Sequence, residues 1–285
     1  FDLTPFSKFE IKSDKAHQEL QKICTANIKN EPGKCVYTHM LNPDGGIETD
    51  LTVVCIDKNH FRIISSAATR ERDKFHINKH LSKNVELKDI TDDLCVFGLF
   101  GPKSRDLLKT LSKDNFENDQ FRFGFAKFIT IDGVKIWTQR LSYVGELGYE
   151  LYVDLKDAKK IYELLIEKGK DFNLSNCGMH AMDIMRMESG FLHWGHDISP
   201  EENQYQAGLA FTISNKKDVD FIGKQALEKI KQDKVKTRFS MFTLKESEPG
   251  KPLLLHDEPI YDGEKIIGRS TSGNYSFNFK KNLVF

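Results

Sequence analysis

Apolar and polar residues alternate in short runs along the first half of this chain, and turn residues separate the runs. Strands are predicted at PFSKFEIKS, FRIISSA and LCVFGLFG, and a hairpin is predicted where KCVYTHML and IETDLTVVCI flank the turn NPDGG. Gly45 and Gly46 supply the positive φ angles that a tight hairpin turn needs. A second strand-rich block covers residues from about 127 to 153.

Helical spacing of apolar residues marks the segments between these strands. Ser13 is expected to cap a helix in which Ala16, Leu20 and Ile23 share one face. Further helices are predicted at TRERDKFHINKHL, at GPKSRDLLKTL, at about 156–168, at about 177–189 and at GKQALEKIKQ. Because hairpins and helices mix without regular βαβ alternation, the predicted fold class is α+β.

The last fifty residues show a different pattern of apolar and polar positions. From about Thr237 the pattern is strand-like and is broken by Pro and Gly at EPGKP, DEP and DGEK, which predicts an all-β module. We therefore expect one α+β domain over residues 1–232 and a C-terminal β-barrel domain over residues 233–285. The barrel is expected to be incomplete, because KKNLVF stops inside a predicted strand.

Composition and charge exclude several classes of function. Lys+Arg and Asp+Glu both number 42, so the net charge of zero gives no electrostatic case for a nucleic-acid or membrane partner. No apolar run approaches the roughly 20 residues that span a bilayer, and no secretory leader is visible. The five cysteines are scattered, which indicates reduced thiols in a cytoplasmic or mitochondrial-matrix compartment.

Three stretches carry the candidate chemistry, and the first is GGIETDLTVV. With a period of two, Leu51, Val53 and Cys55 share one face of the strand, whereas Asp50 lies on the other. Asp50 is therefore either solvated or placed in a cleft. The second stretch is RLSYVGELGYELYV, in which two glycines bracket Glu146 and bring it near Tyr143, with Arg140 close by.

The third stretch is CGMHAMDIMRMESGFLHWGHDISP. Ala181, Ile184 and Glu188 fall on one helical face, so Glu188 points where the apolar face points. A carboxylate buried alone is costly, and Arg186 can pair with Asp183 instead. Either a cation from elsewhere or a ligand with two adjacent N–H donors would satisfy Glu188.

The H-x-x-H spacing of His193 and His196 raises the possibility of a metal site, but glycines flank the pair and the cysteines are remote. A metal site is therefore disfavoured. No G-x-S-x-G elbow, G-x-G-x-x-G loop or G-x-x-x-x-G-K-[ST] loop occurs, so neither a serine hydrolase nor a nucleotide-binding loop is indicated.

Together these stretches resemble the aminomethyltransferase family, the glycine-cleavage T-protein and its relatives. The resemblance rests on GGIETDLTV, RLSYVGELGYEL, AMDIMRMESGFLHWGHDISPEENQYQAGLAF, DFIGKQAL and GRSTSGNYS. DLTPFSKFEI and YTHMLNPDGGIETDLTV are most similar to the folate-binding C-terminal portion of dimethylglycine and sarcosine dehydrogenases. One departure is that the T-protein's pair of aspartates is Thr49-Asp50 here.

The resemblance implies three subdomains around a central pocket for tetrahydrofolate. Two are intertwined within residues 1–232, the second at about 41–120, and the barrel is the third. In this scheme Glu188 accepts the pterin N–H groups and Asp50 assists the attack on a one-carbon unit. The pocket lining would come from Tyr143, Arg140, Glu146, Tyr37, Arg269 and Trp194, and no metal is implied.

The implied reaction captures an iminium or formaldehyde carbon from an N-methyl amine, or an aminomethyl donor, as 5,10-methylenetetrahydrofolate. An FAD cofactor would enter only through a flavin dehydrogenase domain or subunit. Two alternatives stay open, namely a redox-neutral demethylase that yields 5-methyltetrahydrofolate and a non-catalytic folate-binding module.

Overall fold

Two antiparallel sheets organise the first half of the protein, whose computed structural model describes residues 1–233 and 235–285. One has five strands in the order β2-β3-β4-β1-β5, and the other has four in the order β6-β9-β8-β7. The strands are β1 (Ser7–Lys12), β2 (Cys35–Leu41), β3 (Ile47–Asp57), β4 (His60–Ser65), β5 (Leu87–Asp89), β6 (Leu94–Phe100), β7 (Ala126–Ile131), β8 (Val134–Gln139) and β9 (Gly148–Asp154).

Helices cover the outer faces of these sheets and join them to the C-terminal part. They are α1 (Ala16–Ile23), α2 (Arg70–His80), α3 (Ser104–Leu111), α4 (Leu155–Gly169), α5 (Met179–Glu188) and α6 (Lys224–Asp233). Short 3₁₀ turns lie at Ala67–Thr69, Thr91–Asp93, Lys170–Phe172 and Ala210–Thr212. The predicted mixture of hairpins and helices is confirmed, and both large sheets are antiparallel throughout.

The helix after β1 begins later than expected. Its apolar face of Ala16, Leu20 and Ile23 is buried as predicted, but α1 starts with Lys15 at the N-cap. The Ser13 hydroxyl instead accepts a hydrogen bond from the backbone N–H of Lys15 at 3.2 Å. Ser13 thus stabilises the turn before the helix and does not cap it, because it lies two residues too early.

Strand β3 has two different faces, as its alternation predicts. Leu51, Val53 and Cys55 pack with α1 in one core, whereas Val54 packs in a second core with Trp137 and Tyr152 of the four-stranded sheet. The two sheets therefore bury their inner faces against each other. In the four-stranded sheet, alternate residues of β9 point the other way and join a third core, formed with α3 and α4.

The C-terminal residues form two separate small sheets. Strands β10 (Phe242–Thr243), β13 (Gly273–Ser276) and β14 (Lys281–Val284) make one in the order β10-β14-β13, and β11 (Pro259–Asp262) pairs only with β12 (Lys265–Arg269). Within the described residues these strands do not close into a barrel, so the barrel expectation is met only in part. The subdomain bounds at about 41–120 stay a prediction.

A glycine fixes the contact between the β2–β3 hairpin and the loop at residue 200. Gly45 has φ +86°, as the turn requires, whereas Gly46 needs no positive φ but packs against backbone. A Cβ atom at Gly46 would lie 1.8 Å from the Pro200 carbonyl oxygen. The loop carrying Pro200 can therefore approach β3 only because residue 46 lacks a side chain.

Gly46→Ala is predicted to lower the free energy of unfolding by about 1–3 kcal/mol, since the obstructing atom belongs to backbone. Gly178→Ala is the matched control, because a Cβ there meets nothing within 4 Å. It should change stability by less than about 0.5 kcal/mol. Urea denaturation of both variants tests this, and equal effects would contradict the packing argument.

Candidate functional site

The candidate site begins with Asp50 on the inner face of β3. Its carboxyl oxygen Oδ2 accepts a hydrogen bond from the Tyr37 hydroxyl on the adjacent strand β2 at 3.2 Å. Burial raises the pKa of Asp50 to about 7, the Tyr37 hydrogen bond opposes that rise and the nearby Asp73 carboxyl adds to it. Asp50 can therefore both release and accept a proton near neutral pH.

A second acid stands close to Asp50 but comes from a helix. Asp73 of α2 is 1% exposed and accepts hydrogen bonds from Thr49 at 3.1 Å and Thr69 at 2.7 Å. Burial raises its pKa, and the hydroxyl donors partly offset this. Thr49 thus orients an acid that the chain supplies from α2.

Aromatic side chains border Asp50 on two sides. The Tyr37 ring is 6.4 Å from the ring of Phe211, which is 77% exposed. The charge of Asp50 acts on Tyr143, whose pKa is raised chiefly by burial. Tyr143 stacks on Phe191 at 6.1 Å between centroids and donates from its hydroxyl to the Leu192 carbonyl at 2.7 Å. The wall is therefore aromatic and uncharged.

The Tyr143 loop is locked to the end of α5. Gly145 has φ +75°, and a Cβ there would lie 2.0 Å from the Ser189 hydroxyl oxygen. The Ser189 hydroxyl in turn lies 3.3 Å from the Val144 carbonyl. The glycine-rich turn of this motif is needed for close approach to α5, and this contact fixes Tyr143 next to Leu192.

Glu150 is a candidate residue that sequence reasoning missed. It lies on the inner face of β9, half-buried, and its Oε2 accepts a hydrogen bond from the Tyr152 hydroxyl at 2.9 Å. Burial raises the pKa of Glu150 to about 7, and the Tyr152 hydrogen bond opposes the rise. The side-chain nitrogen of Gln139, the residue paired with Glu150 on β8, has no hydrogen-bond partner among the described residues.

A signal for Glu150 was present in the sequence. It alternates with Tyr149 and Leu151 along a strand whose other face is apolar. An acid on the opposite face counts as solvated unless another layer covers that face. The five-stranded sheet covers it here, so Asp50 and Glu150 are both half-buried acids on facing sheets.

Glu188 is hydrogen-bonded by neutral side chains, whereas its position on the helix suggested a cation or a ligand as its partner. Its two carboxyl oxygens accept hydrogen bonds from the Ser276 hydroxyl and from the Asn278 side-chain nitrogen, the latter at 2.6 Å. Ala181, Ile184 and Glu188 are half-buried, whereas Met182, Arg186 and Met187 are the buried side chains of α5. Neutral donors of β13 and of the turn after it therefore bind the carboxylate that lacked a partner on its own helix.

Arg186 is the buried centre of the segment around α5. It pairs with Asp183 at 2.8 Å, as its spacing predicts, and also with Asp197 at 2.5 Å. Its guanidinium donates to the Phe191 carbonyl at 2.9 Å and to the Ser272 hydroxyl at 2.7 Å. One cation thus joins α5, the following loop and the C-terminal strands.

Four predicted site residues are exposed or bound by partners other than Asp50. Arg140 donates to the Phe121 carbonyl at 2.5 Å, and its pKa, lowered by burial, also responds to Tyr149 on the outer face of the sheet. Glu146 is exposed. Arg269 pairs with Asp257 at 2.6 Å on the surface.

Trp194 is the fourth of these residues. Its indole N–H donates to the Ile47 carbonyl at 2.9 Å, and the Arg72 guanidinium lies 4.4 Å above its ring. Trp194 therefore anchors its loop to the start of β3.

The histidines after α5 do not form a metal site. The rings of His193 and His196 are 4.4 Å apart, yet no group of three or more His, Cys, Asp or Glu side chains within residues 1–233 and 235–285 is arranged to hold a metal ion. In the described part of the chain, no helix is both long and apolar enough to cross a membrane.

Comparison with protein families supports the sequence resemblance. The family model described as the GCVT N-terminal domain matches residues 1–217. The aminomethyltransferase of Anoxybacillus flavithermus is 31% identical over 284 residues, which are 99% of this chain and 77% of that protein.

Longer relatives match over the same region. A 4-methylaminobutanoate oxidase (formaldehyde-forming) of Paenarthrobacter nicotinovorans is 37% identical over 96% of this chain, and human mitochondrial dimethylglycine dehydrogenase is 33% identical over 100% of it. The chain spans about a third of the length of each, 33%. The crystal structure of glycine cleavage system aminomethyltransferase T from Bartonella henselae superposes with a TM-score of 0.87, at 20% identity, over 100% of this chain and 76% of that one.

Asp50→Asn is predicted to stabilise the free protein at alkaline pH. Because the folded state raises the pKa of Asp50 from 3.8 to about 7, the folded state binds more protons than the unfolded state between these values, and stability falls as pH rises. The variant should gain about 1–3 kcal/mol in free energy of unfolding at pH 8. The gain should shrink below about 0.5 kcal/mol at pH 4, where the wild-type carboxyl is neutral in the folded state. Urea denaturation at both pH values measures this, and an equal gain at pH 4 would point to packing instead.

Proposed function

Because this chain belongs to the family described as the GCVT N-terminal domain, whose members bind tetrahydrofolate, we propose that it holds tetrahydrofolate between its two sheets for one-carbon transfer. The observation that carries the proposal is the pair of half-buried acids with raised pKa values, Asp50 and Glu150, on the facing inner sides of the sheets. Each acid is bound by a tyrosine hydroxyl, and neither hydrogen-bonds to a cation among the described residues.

The hydrogen-bond donors of a reduced pterin match the acceptors of this site. A pterin presents adjacent ring N–H and amino donors, which match a carboxylate that accepts two hydrogen bonds. Glu150 suits this role because its pKa of about 7 leaves it ready to ionise when such donors arrive. Beside it, the Gln139 amide nitrogen, which has no partner within the described residues, can donate to a pterin acceptor.

Glu188 is the other candidate for the pterin. Both of its oxygens already accept hydrogen bonds from Ser276 and Asn278, so a ligand would have to displace them. We therefore prefer Glu150 as the pterin acceptor and assign Glu188 to the junction between α5 and the C-terminal strands.

The protein contributes proton transfer and the positioning of the reactants. Tetrahydrofolate supplies the two nitrogens that take up the one-carbon unit. With its pKa near 7, Asp50 can take the proton released when the first C–N bond forms and return it to the departing amine or water. Tyr37 holds the carboxyl through Oδ2, and Tyr143 and Phe211 offer flat apolar surfaces to the ligand.

The acidic tail of the folate needs a separate place. Arg269 is paired with Asp257 on the surface, away from Asp50. A cavity of about 360 Å³ adjoins Phe211 and is lined by Asn27, Asn215 and Lys216. We assign the tail to this cavity, because its amides and its lysine are suitable partners for carboxylates.

The one-carbon donor is proposed from the longer relatives. Their names specify N-methyl amines, as in 4-methylaminobutanoate oxidase (formaldehyde-forming) and dimethylglycine dehydrogenase. We propose that this chain captures an iminium or formaldehyde carbon of the same kind as 5,10-methylenetetrahydrofolate. A flavin dehydrogenase domain or subunit would generate that carbon.

Glu150→Gln is predicted to weaken tetrahydrofolate binding about 10–100-fold, because charge-assisted hydrogen bonds contribute about 1.5–3 kcal/mol each. Glu188→Gln and the exposed Glu146→Gln should change the dissociation constant less than about 3-fold. Anaerobic calorimetric titration gives all three values. A larger loss for Glu188→Gln than for Glu150→Gln would move the pterin to α5, and no binding by the wild type at sub-millimolar concentration would refute the proposal.

Asp50→Asn is predicted to lower turnover about 100-fold or more, the usual contribution of a general acid–base group. Tetrahydrofolate binding should stay within about 3-fold, since the pterin acceptor is intact. The assay follows enzyme-dependent formation of 5,10-methylenetetrahydrofolate from formaldehyde above the spontaneous rate. Equal losses in turnover and binding would contradict the separate roles, and 5-methyltetrahydrofolate as the product would favour methyl transfer.

A further inference from the structure

His39 lies directly opposite Asp50 in the β2–β3 ladder. The register pairs His39 with Asp50 and Tyr37 with Thr52, so all four side chains leave the same face of the sheet. Residues directly opposite in an antiparallel pair have Cβ atoms about 4.5–5.5 Å apart. The Tyr37 ring, whose hydroxyl binds Asp50, meets the His39 ring edge-on at 5.2 Å.

The tautomer of His39 follows from its partner. Nδ1 of His39 is 3.0 Å from the Thr212 hydroxyl oxygen. The Thr212 hydroxyl donates its one hydrogen to the Leu209 carbonyl at 2.7 Å. Its oxygen can therefore only accept a hydrogen bond from His39. Nδ1 therefore carries the imidazole proton, and Nε2 carries a lone pair.

The Nε2 atom is the unexplained group. His39 is 0% exposed, and Nε2 has no hydrogen-bond partner among the described residues. A buried acceptor left unsatisfied destabilises the fold, and His39 has Asp50 as its cross-strand neighbour. A proton-bearing carboxyl is the group there that can satisfy it.

We propose that His39 is a positioning residue for Asp50, whose neutral carboxyl group donates its proton to His39 Nε2, directly or through one water molecule. Asp50 is then held from both sides, by the Tyr37 hydroxyl as donor and by the His39 lone pair as acceptor. The link to turnover rests on the proposed function, but the hydrogen bond itself does not.

The role of His39 is to accept a hydrogen bond and not to take the proton. Burial lowers the pKa of His39 to about 3, so the ring stays neutral while Asp50 titrates. The other titratable groups that act on Asp50 are Tyr37, Tyr143 and Asp73. An acceptor that binds the neutral carboxyl favours that form and raises the pKa of Asp50.

The experiment titrates the Asp50 carboxyl carbon by ¹³C NMR in the ligand-free protein. His39→Asn keeps a donor at the Nδ1 position but removes the acceptor, and we expect the midpoint to fall by about one pH unit, the size of one hydrogen bond. His39→Gln is the matched control, because its side-chain oxygen can reach the Nε2 position, and it should keep the wild-type midpoint. Tyr37→Phe removes a donor to the ionised carboxylate and should raise the midpoint.

A second variant leaves His39 in place. Thr212→Val removes the acceptor at Nδ1, so the proton can move to Nε2 and donate to the ionised carboxylate. The Asp50 midpoint should then fall as in His39→Asn, and long-range ¹H–¹⁵N spectra should show the change of tautomer. This variant tests the idea even if His39→Asn fails to fold.

Three results would overturn the proposal. They are an unshifted Asp50 midpoint in His39→Asn and Thr212→Val, equal falls in His39→Asn and His39→Gln, and a wild-type imidazole protonated at Nε2. Because the titration uses no folate, its outcome is independent of whether the protein binds tetrahydrofolate. If it does, the pH–rate profile of His39→Asn should shift to lower pH by the same amount, with tetrahydrofolate binding unchanged.

Discussion

The buried ion pair between Arg186 and Asp197 holds together the three parts of the chain that surround the site. Arg186 is 1% exposed and Asp197 is 4% exposed, so each would be very costly to bury without the other. Asp197 also accepts from Thr271 at 2.6 Å and Ser272 at 2.7 Å. Removing either charge would therefore release both the loop after α5 and the C-terminal strands.

This ion pair also positions the aromatic side chains beside Asp50. The loop that Asp197 holds presents the Leu192 carbonyl to Tyr143, and the C-terminal strands present Ser276 and Asn278 to Glu188. Glu188 and Tyr143, which the family resemblance places in a ligand pocket, thus also join separate segments of the chain. What remains available for chemistry is the half-buried part of the inner faces, where Asp50 and Glu150 lie.

That inner face is costly for the free protein. Asp50 and Glu150 both have pKa values raised to about 7 by burial, so ionising them in the folded state opposes stability at neutral pH. A strand-packed core would normally carry apolar residues at these positions. Acids placed where they destabilise the fold are a sign of function.

Periodicity along the chain predicted the α+β class, most elements and the two faces of β3, because each depends on neighbours in sequence. It also paired Arg186 with Asp183, one helical turn away. It could not reveal that the face of β9 carrying Glu150 is covered, or that Asn278 and Ser276 would reach Glu188. Both contacts join segments that are far apart in the chain. The burial of these acids and their pKa values follow from the long-range contacts. Contacts between near neighbours in the chain thus set the elements and their polar faces, whereas contacts between distant segments place particular acids in a low-dielectric recess.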